Sequence, residues 1–420
     1  MNIFSEKTEK YLVFLIFFLF PLADVRVLLF GIPLYVPEIL VMMAILTRIL
    51  RSPSNRLSDG FSWRSGFVAI LSIGLMLAGM ISSSIWNGID RDALGAIKSW
   101  FLFPILFFWL ILTLGFSRGD VWKAVSLWFF GTALTAFAGV FLPDYSIRTY
   151  DGRLQIASLS PNHFGFLLEY GGVIGLALLV FLRERHWVFL AFLAIAESVV
   201  VAALLLTQSD AALISFCIAS LTLVISSIFS LKFSKKLLAA AFIVVASVTL
   251  AFFQTIDRHE LGSGTVRSSL ASRVMIWNAA SMMISEHPIL GIGPRNFQER
   301  YLALQPQFPP YLEWAVPHPH NIFLAFWIFS GISGLLGFVV LLSVLFFNVV
   351  RVIFSTPEEK LRVLPSLFLA LLSGFLVHGF VDTPYFKNNL AYIFWAMAAC
   401  IFLLGKEKRR RSAEDAGLNR

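Results

Sequence analysis

The motif Pro317-His318-Pro319-His320-Asn321 stands at the mouth of a long apolar run and closes the only long polar interruption in an otherwise apolar chain. Between Ser268 and Leu335 fall Arg273, Trp277, His287, Arg295, Arg300, Glu313, His318 and His320, and nowhere else do so many ionisable, aromatic and turn-forming residues gather together. Pro317 and Pro319 cannot lie inside a helix, so the helix over the following apolar run starts at or just after His320. A histidine at a helix N-terminus meets the positive end of the dipole, which disfavours the imidazolium. A neutral imidazole accepts a proton near neutral pH and suits a general base acting on a hydroxyl group. The plainer reading of the same position is a histidine that caps the helix and anchors it at an interface.

Arg273 offers a planar fork of donors that can grip a diphosphate at two points and steady charge on a leaving group. The bland alternative is a solvated or salt-bridged arginine. Arg153, in Asp151-Gly152-Arg153 just before Pro161-Asn162, is a second candidate for the same anion. Arg295, His318 and Asn321 are further candidate contacts to a diphosphate or its attached glycan. Asp90-Arg91-Asp92 has a carboxylate spacing that metal-dependent membrane transferases use, but the pattern is common by chance, and no metal or other cofactor is expected. Glu169 and Glu197 fall within apolar runs, where a carboxylate is costly and marks either a proton relay of a transporter or a protonated structural group.

The elements that must position these residues follow from composition. Hydrophobic residues make up 58% of the 420, charged residues only 14%, and the mean hydropathy is +0.80, which excludes a soluble globular domain. The net charge of +8 is spread singly or in small groups between apolar runs, so no nucleic-acid surface is expected. Cys217 and Cys400 lie in apolar segments and imply no disulfide framework. Laying a ruler of about 20 residues per bilayer crossing along the chain predicts a single all-α integral membrane domain over residues 1–420 with twelve spans. They are Tyr11 to Phe30 (interrupted by Pro21 and Asp24 and read as a retained span), Pro37 to Leu50, Gly66 to Ile85, Leu94 to Phe116, Val121 to Leu142 and Asn162 to Leu182. The second six are Trp187 to Thr207, Ala211 to Ser230, Lys236 to Thr255, Asn321 to Val350, Val363 to Val381 and Asn389 to Leu404.

Most lysines and arginines then fall on one side, among them Arg48, Arg51, Arg183, Arg185, Lys232, Lys235, Arg351 and the Lys406 to Arg411 cluster. That bias puts both termini in the cytoplasm and residues 256–320, between the ninth and tenth spans, in a large outer loop. Within that loop, apolar spacing after Ser268 and the stop at His287-Pro288 predict a short helix over Ser268 to Ser285, with Arg273 and Trp277 on one face. Ser330, Gly331, Ser333, Gly334 and Gly337 give the helix after His320 a small-residue surface suited to close helix packing.

His320-Asn321, nine residues, then Gly331-Ile332-Ser333-Gly334 resembles the signature of the bacterial O-antigen ligase and polymerase family. Ser272-Arg273 with Trp277, then Glu286-His287-Pro288 with Gly291 and Gly293, is similar to that family's large periplasmic loop, as is Ser160-Pro161-Asn162 to its sixth-span start. The resemblance implies metal-independent transfer of a glycan from undecaprenyl diphosphate to an acceptor hydroxyl, on lipid A-core or another glycan, at the periplasmic face of the bacterial inner membrane. It implies His320 as the base and Arg273 as the group that steadies the departing diphosphate, with Gly331 and Gly334 packing near the lipid. The chain departs from the family at Leu335, and at Ser209-Asp210-Ala211, where many members carry Ser-Arg-Gly. Arg153, Arg148 or Arg267 can stand in for the arginine missing there.

Overall fold

The computed structural model of the protein describes residues 5–22, 25–29, 32–51, 63–142, 145–149, 151–156, 159–182, 185–228, 269–307, 316–356 and 358–415. Among these residues nine helices are long and apolar enough to cross a membrane, and each matches one of the twelve expected spans. They are α3 (Trp63–Trp86), α4 (Arg91–Thr113), α5 (Arg118–Phe141), α6 (Pro161–Phe181), α7 (Trp187–Thr207), α8 (Asp210–Ile228), α11 (Ile322–Ser355), α12 (Glu359–Val381) and α13 (Asn388–Asp415). The protein is therefore a polytopic all-α membrane protein. The expected ninth span, Lys236 to Thr255, lies outside the described residues.

Of the first two expected spans, Pro37 to Leu50 is present as a helix and Tyr11 to Phe30 takes a different form. α1 (Glu6–Leu19) is only 14 residues long and gives way to a tight turn over Phe20–Leu22, where Pro21 cannot continue the hydrogen-bond ladder. An antiparallel hairpin follows, β1 (Arg26–Leu29) against β2 (Ile32–Tyr35), and the chain re-enters as α2 (Val36–Leu50) with Pro37 in its first turn. Helices of 14 and 15 residues rise about 21–23 Å, short of a bilayer core of ~30 Å. Buried Glu9, paired with Arg48 at 3.1 Å and Arg51 at 3.4 Å, ties α1 to α2. Lys98 secures the hairpin by bonding both Pro33 O at 2.7 Å and Glu38 at 2.8 Å.

α11 is the axis of the packing, and it lies against α3, α12 and α13. Its contact with α3 is made by small residues: a Cβ built on Gly79 would fall 2.3 Å from Ser330 O, and one on Gly337 would fall 2.6 Å from Ser72 O. The two backbones approach more closely than any side chain permits, which is how helices associate where the surrounding solvent is itself apolar. Gly334 is part of this seam, its backbone N 2.7 Å from a Cβ built on Gly79 of α3.

α11 is not one continuous helix. Gly331 has φ 65° and ψ −173°, a non-helical conformation that kinks the helix. The turn after α9 docks at the kink. Ile332 N–H donates to Ile289 O at 3.0 Å, and Ile328 O accepts from Ile292 N–H at 2.8 Å. The segment Ile289 to Ile292 thus splices into the broken turn, and Gly291, with φ 68°, lets it come close enough. Trp327 Nε1–H adds a bond to Pro288 O at 2.7 Å. Gly331 therefore meets loop backbone, its would-be Cβ 2.1 Å from Ile289 O.

The loop helix expected from Ser268 is present as α9 (Ser269–Glu286), followed by α10 (Phe297–Leu304). A second small hairpin, β3 (Ser146–Arg148) with β4 (Leu154–Ile156), precedes α6. The turn between α12 and α13 is pinned by buried Tyr385, whose hydroxyl donates to Trp100 O at 2.7 Å and accepts from Trp395 Nε1–H at 3.0 Å.

Candidate functional site

His320 lies just outside α11, in the left-handed region with φ 48°. Asn321, not His320, caps the helix: its Oδ1 accepts from Phe323 N–H at 3.0 Å and Leu324 N–H at 3.1 Å. Its Nδ2–H donates to Phe380 O at 3.0 Å. Expected as a substrate contact, the Asn321 side chain is thus committed to the helix start. The cap frees the neighbouring imidazole for other work.

That imidazole meets a carboxylate. His320 Nδ1 lies 3.0 Å from Asp382 Oδ1, and the Asp382 side chain is 4% exposed against 25% for His320. Asp382 follows the last residue of α12, its N–H closing on His378 O at 2.8 Å. Thr383 N–H donates to Oδ1 at 2.8 Å and Asn162 Nδ2–H to Oδ2 at 3.1 Å. Burial by itself raises the Asp382 pKa, but the opposite charge and hydrogen bond of His320, with His318 and His378 beyond, outweigh it and hold the carboxyl well below the usual range. An ionised carboxylate on Nδ1–H fixes the tautomer, turns Nε2 outward as the acceptor, and stabilises the imidazolium once Nε2 takes a proton.

Two arginines extend the site. Arg273, on α9, donates from Nε to Val381 O at 2.8 Å, next to Asp382. Four residues on, Trp277 Nε1–H reaches His320 O at 3.3 Å, so the two side chains share a face as the spacing predicts, and that face grips the ends of α11 and α12. Arg153, after the β3 to β4 turn, donates from Nε to Thr207 O at 3.0 Å and from Nη2 to Asn162 Oδ1 at 2.6 Å. Burial pulls its pKa below the usual arginine range, with Asp151 and Asp210 opposing and Arg273 reinforcing. Asn162 thereby links Arg153 to Asp382 in one chain of hydrogen bonds. Arg153 thus sits on the α7 to α8 corner, at Thr207 O and within the electrostatic reach of Asp210.

His318 and His163 complete a cluster of imidazoles. The His318 ring centroid is 4.5 Å from that of His320 and 6.0 Å from that of His163. Burial, reinforced by the nearby His320 charge, keeps the His318 pKa well below the ordinary histidine value, so its ring is neutral at pH 7. Arg295 is placed apart from these contacts: it is exposed, has φ 67°, and lays its guanidinium over the Trp100 ring at 5.7 Å. His287 Nε2 accepts from Arg300 Nη1–H at 2.8 Å. Glu313 and Arg267 lie outside the described residues, and Arg148 bonds the Gly152 carbonyl of its own hairpin at 3.2 Å.

The carboxylates weighed for other chemistry have other surroundings. Asp90 caps α4, accepting from Ala93 N–H at 2.6 Å. Glu169 is paired with His378 Nδ1 at 2.8 Å in the bundle interior. Glu197 is buried with no hydrogen-bond partner among the described residues, against Gly172 and Gly175 of α6.

Sequence reasoning missed Asp382. Its signal was available: an acid directly after the eleventh expected span, followed by Thr383-Pro384, where an apolar turn needs no charge. A family model described as O-antigen ligase matches residues 195–339, from α7 through the first half of α11, which includes Arg273, His318, His320 and Gly331 and stops short of Asp382. No curated protein matches the chain in a sequence comparison.

Proposed function

We propose, from the match of residues 195–339 to the O-antigen ligase family model, that the chain transfers a glycan from undecaprenyl diphosphate to an acceptor hydroxyl. The acceptor is lipid A-core, the setting is the periplasmic face of the bacterial inner membrane with both termini in the cytoplasm, and no metal ion assists the reaction. The observation that carries this reading is the His320 to Asp382 dyad flanked by Arg273 and Arg153.

In this scheme His320 Nε2 takes the proton of the acceptor hydroxyl as its oxygen attacks the anomeric carbon of the donor sugar. The bond from that carbon to the diphosphate oxygen breaks, and the electron pair leaves with undecaprenyl diphosphate. Arg273 and Arg153 bring positive charge to the leaving group, where negative charge grows as the bond lengthens. Asp382 balances the imidazolium. The polymerase reading keeps the same chemistry with a second lipid-linked repeat unit as the acceptor.

The test is the surface glycolipid profile of a strain lacking this protein, complemented with the wild type or with His320→Ala and run beside its undecaprenyl-linked glycans. Without the protein, long chains stranded on the lipid carrier above bare lipid A-core are the expected outcome, and core bearing single repeats would identify a polymerase. A wild-type profile restored by His320→Ala would overturn the catalytic assignment. A transporter of lipid-linked oligosaccharide is the rival that buried Glu197 favours. Under it, Glu197→Gln abolishes glycan export and His320→Ala spares it.

A further inference from the structure

His318, His320 and Asp382 bring their ligating atoms within 4.8 Å of one another. Nitrogen and oxygen ligands of a tetrahedral zinc ion sit about 2.0–2.1 Å from the metal, which sets any two of them about 3.3 Å apart. His320 Nδ1 and Asp382 Oδ1, at 3.0 Å, already have nearly that spacing. His318 is what distinguishes the group from an ordinary ion pair, because its Nδ1 is buried and has no hydrogen-bond partner among the described residues. An unsatisfied buried polar atom costs about 1–3 kcal/mol, so a partner for it is expected. The carboxylate is held from outside by Thr383 N–H at 2.8 Å and Asn162 Nδ2–H at 3.1 Å, the kind of outer support that orients metal ligands. His163, its ring 6.0 Å from that of His318, stands beside the cluster as a further imidazole.

We propose that His318, His320 and Asp382 form a binding site for a divalent transition-metal ion of the zinc class, and that the bound ion inhibits transfer. Two imidazoles and one carboxylate suit zinc, and they do not suit magnesium or calcium, which take oxygen ligands. The ion takes the place of the proton between His320 Nδ1 and Asp382 Oδ1. A neutral imidazole bound through Nδ1 carries its proton on Nε2, so the lone pair that would accept the acceptor's proton is gone. The inhibition rests on the reading of His320 as the base. The binding does not.

The full-length protein in detergent, stripped with EDTA, is titrated with Co²⁺ while the visible d–d absorption of the bound ion is followed, and then with Zn²⁺. The expected result is a saturable signal for one ion per chain that Zn²⁺ erases. It disappears in His318→Ala and Asp382→Asn and persists in Asp90→Asn. Gel filtration of each variant, with His318→Gln as a bulkier replacement, separates loss of the site from loss of the fold. A flat titration of the wild type, or a signal unchanged in folded His318→Ala and His318→Gln, would overturn the site. In a transfer assay, zinc at ten times its dissociation constant should lower the rate about tenfold, and EDTA should restore it. Unchanged or faster transfer at saturating zinc would overturn the inhibition. If the wild type transfers no glycan at all, the proposed function fails, and the cobalt titration still decides the metal site.

Discussion

At the scale of single residues, the division of labour between His320 and its neighbours decides the chemistry. Because Asn321 supplies the helix cap, His320 is held by its backbone bond from Trp277 and its ring bond to Asp382. Asp382→Asn keeps the shape but removes the charge that favours the correct tautomer and the imidazolium, and it should lower kcat by about 10²–10⁴-fold with KM little changed. Steady-state transfer kinetics check this, and a KM effect alone would argue for a binding role instead. Asp382 also makes a pH-dependent contribution to stability. Its folded pKa lies below the unfolded value, so the contribution is present above the usual carboxylate range, near pH 4, and fades as pH falls through the depressed folded value. Thermal melts should therefore show wild type above Asp382→Asn at neutral pH, with the gap closing in acid. His320 was legible in the sequence because two prolines fix where its helix starts. Asp382 was not, because its role depends on a partner 62 residues away along the chain.

At the scale of elements, the break in α11 is where the turn after α9 is fastened to the bundle. Gly331 and Gly291 both have positive φ, and a Cβ on either would fall within 2.3 Å of a carbonyl oxygen of the other segment. Gly331→Ala should strain the backbone and separate the spliced segment, costing about 2 kcal/mol or more. Gly74→Ala is the control, since nothing lies within 4 Å of its Cβ. Thermal unfolding in one detergent compares the two, and equal melting temperatures would refute the role given to the break. The sequence showed the small residues here and their value in close packing, and it showed helix α9 and the shared face of Arg273 and Trp277. It did not show that Gly331 admits a loop. That requires two hydrogen bonds from Ile289 and Ile292, whose place in space no local spacing encodes.

At the scale of the whole molecule, nine of the expected spans were legible because a bilayer sets one length for every crossing. Pro37 to Leu50 was read as it stands in α2, but Tyr11 to Phe30 was not, because that apolar stretch reads as one span until the turn at Pro21 and the hairpin after it are seen. The site lies where the ends of distant elements meet. Arg153 lies in a hairpin turn just before β4, Asn162 opens α6, Arg273 rides on α9, His320 precedes α11 and Asp382 follows α12. A site assembled from so many ends can work as a unit only if its members are energetically coupled, and Asn162 is the joint, bonding Arg153 on one side and Asp382 on the other. Asn162→Ala and Asp382→Asn should therefore be non-additive in transfer rate, with a coupling energy of about 0.5–3 kcal/mol. Asn162→Ala combined with Ser343→Ala, whose serine bonds only within its own helix, should be additive. Additivity in the first pair would mean that Arg153 and the dyad act independently, and that the chain of hydrogen bonds between them carries no part of the reaction.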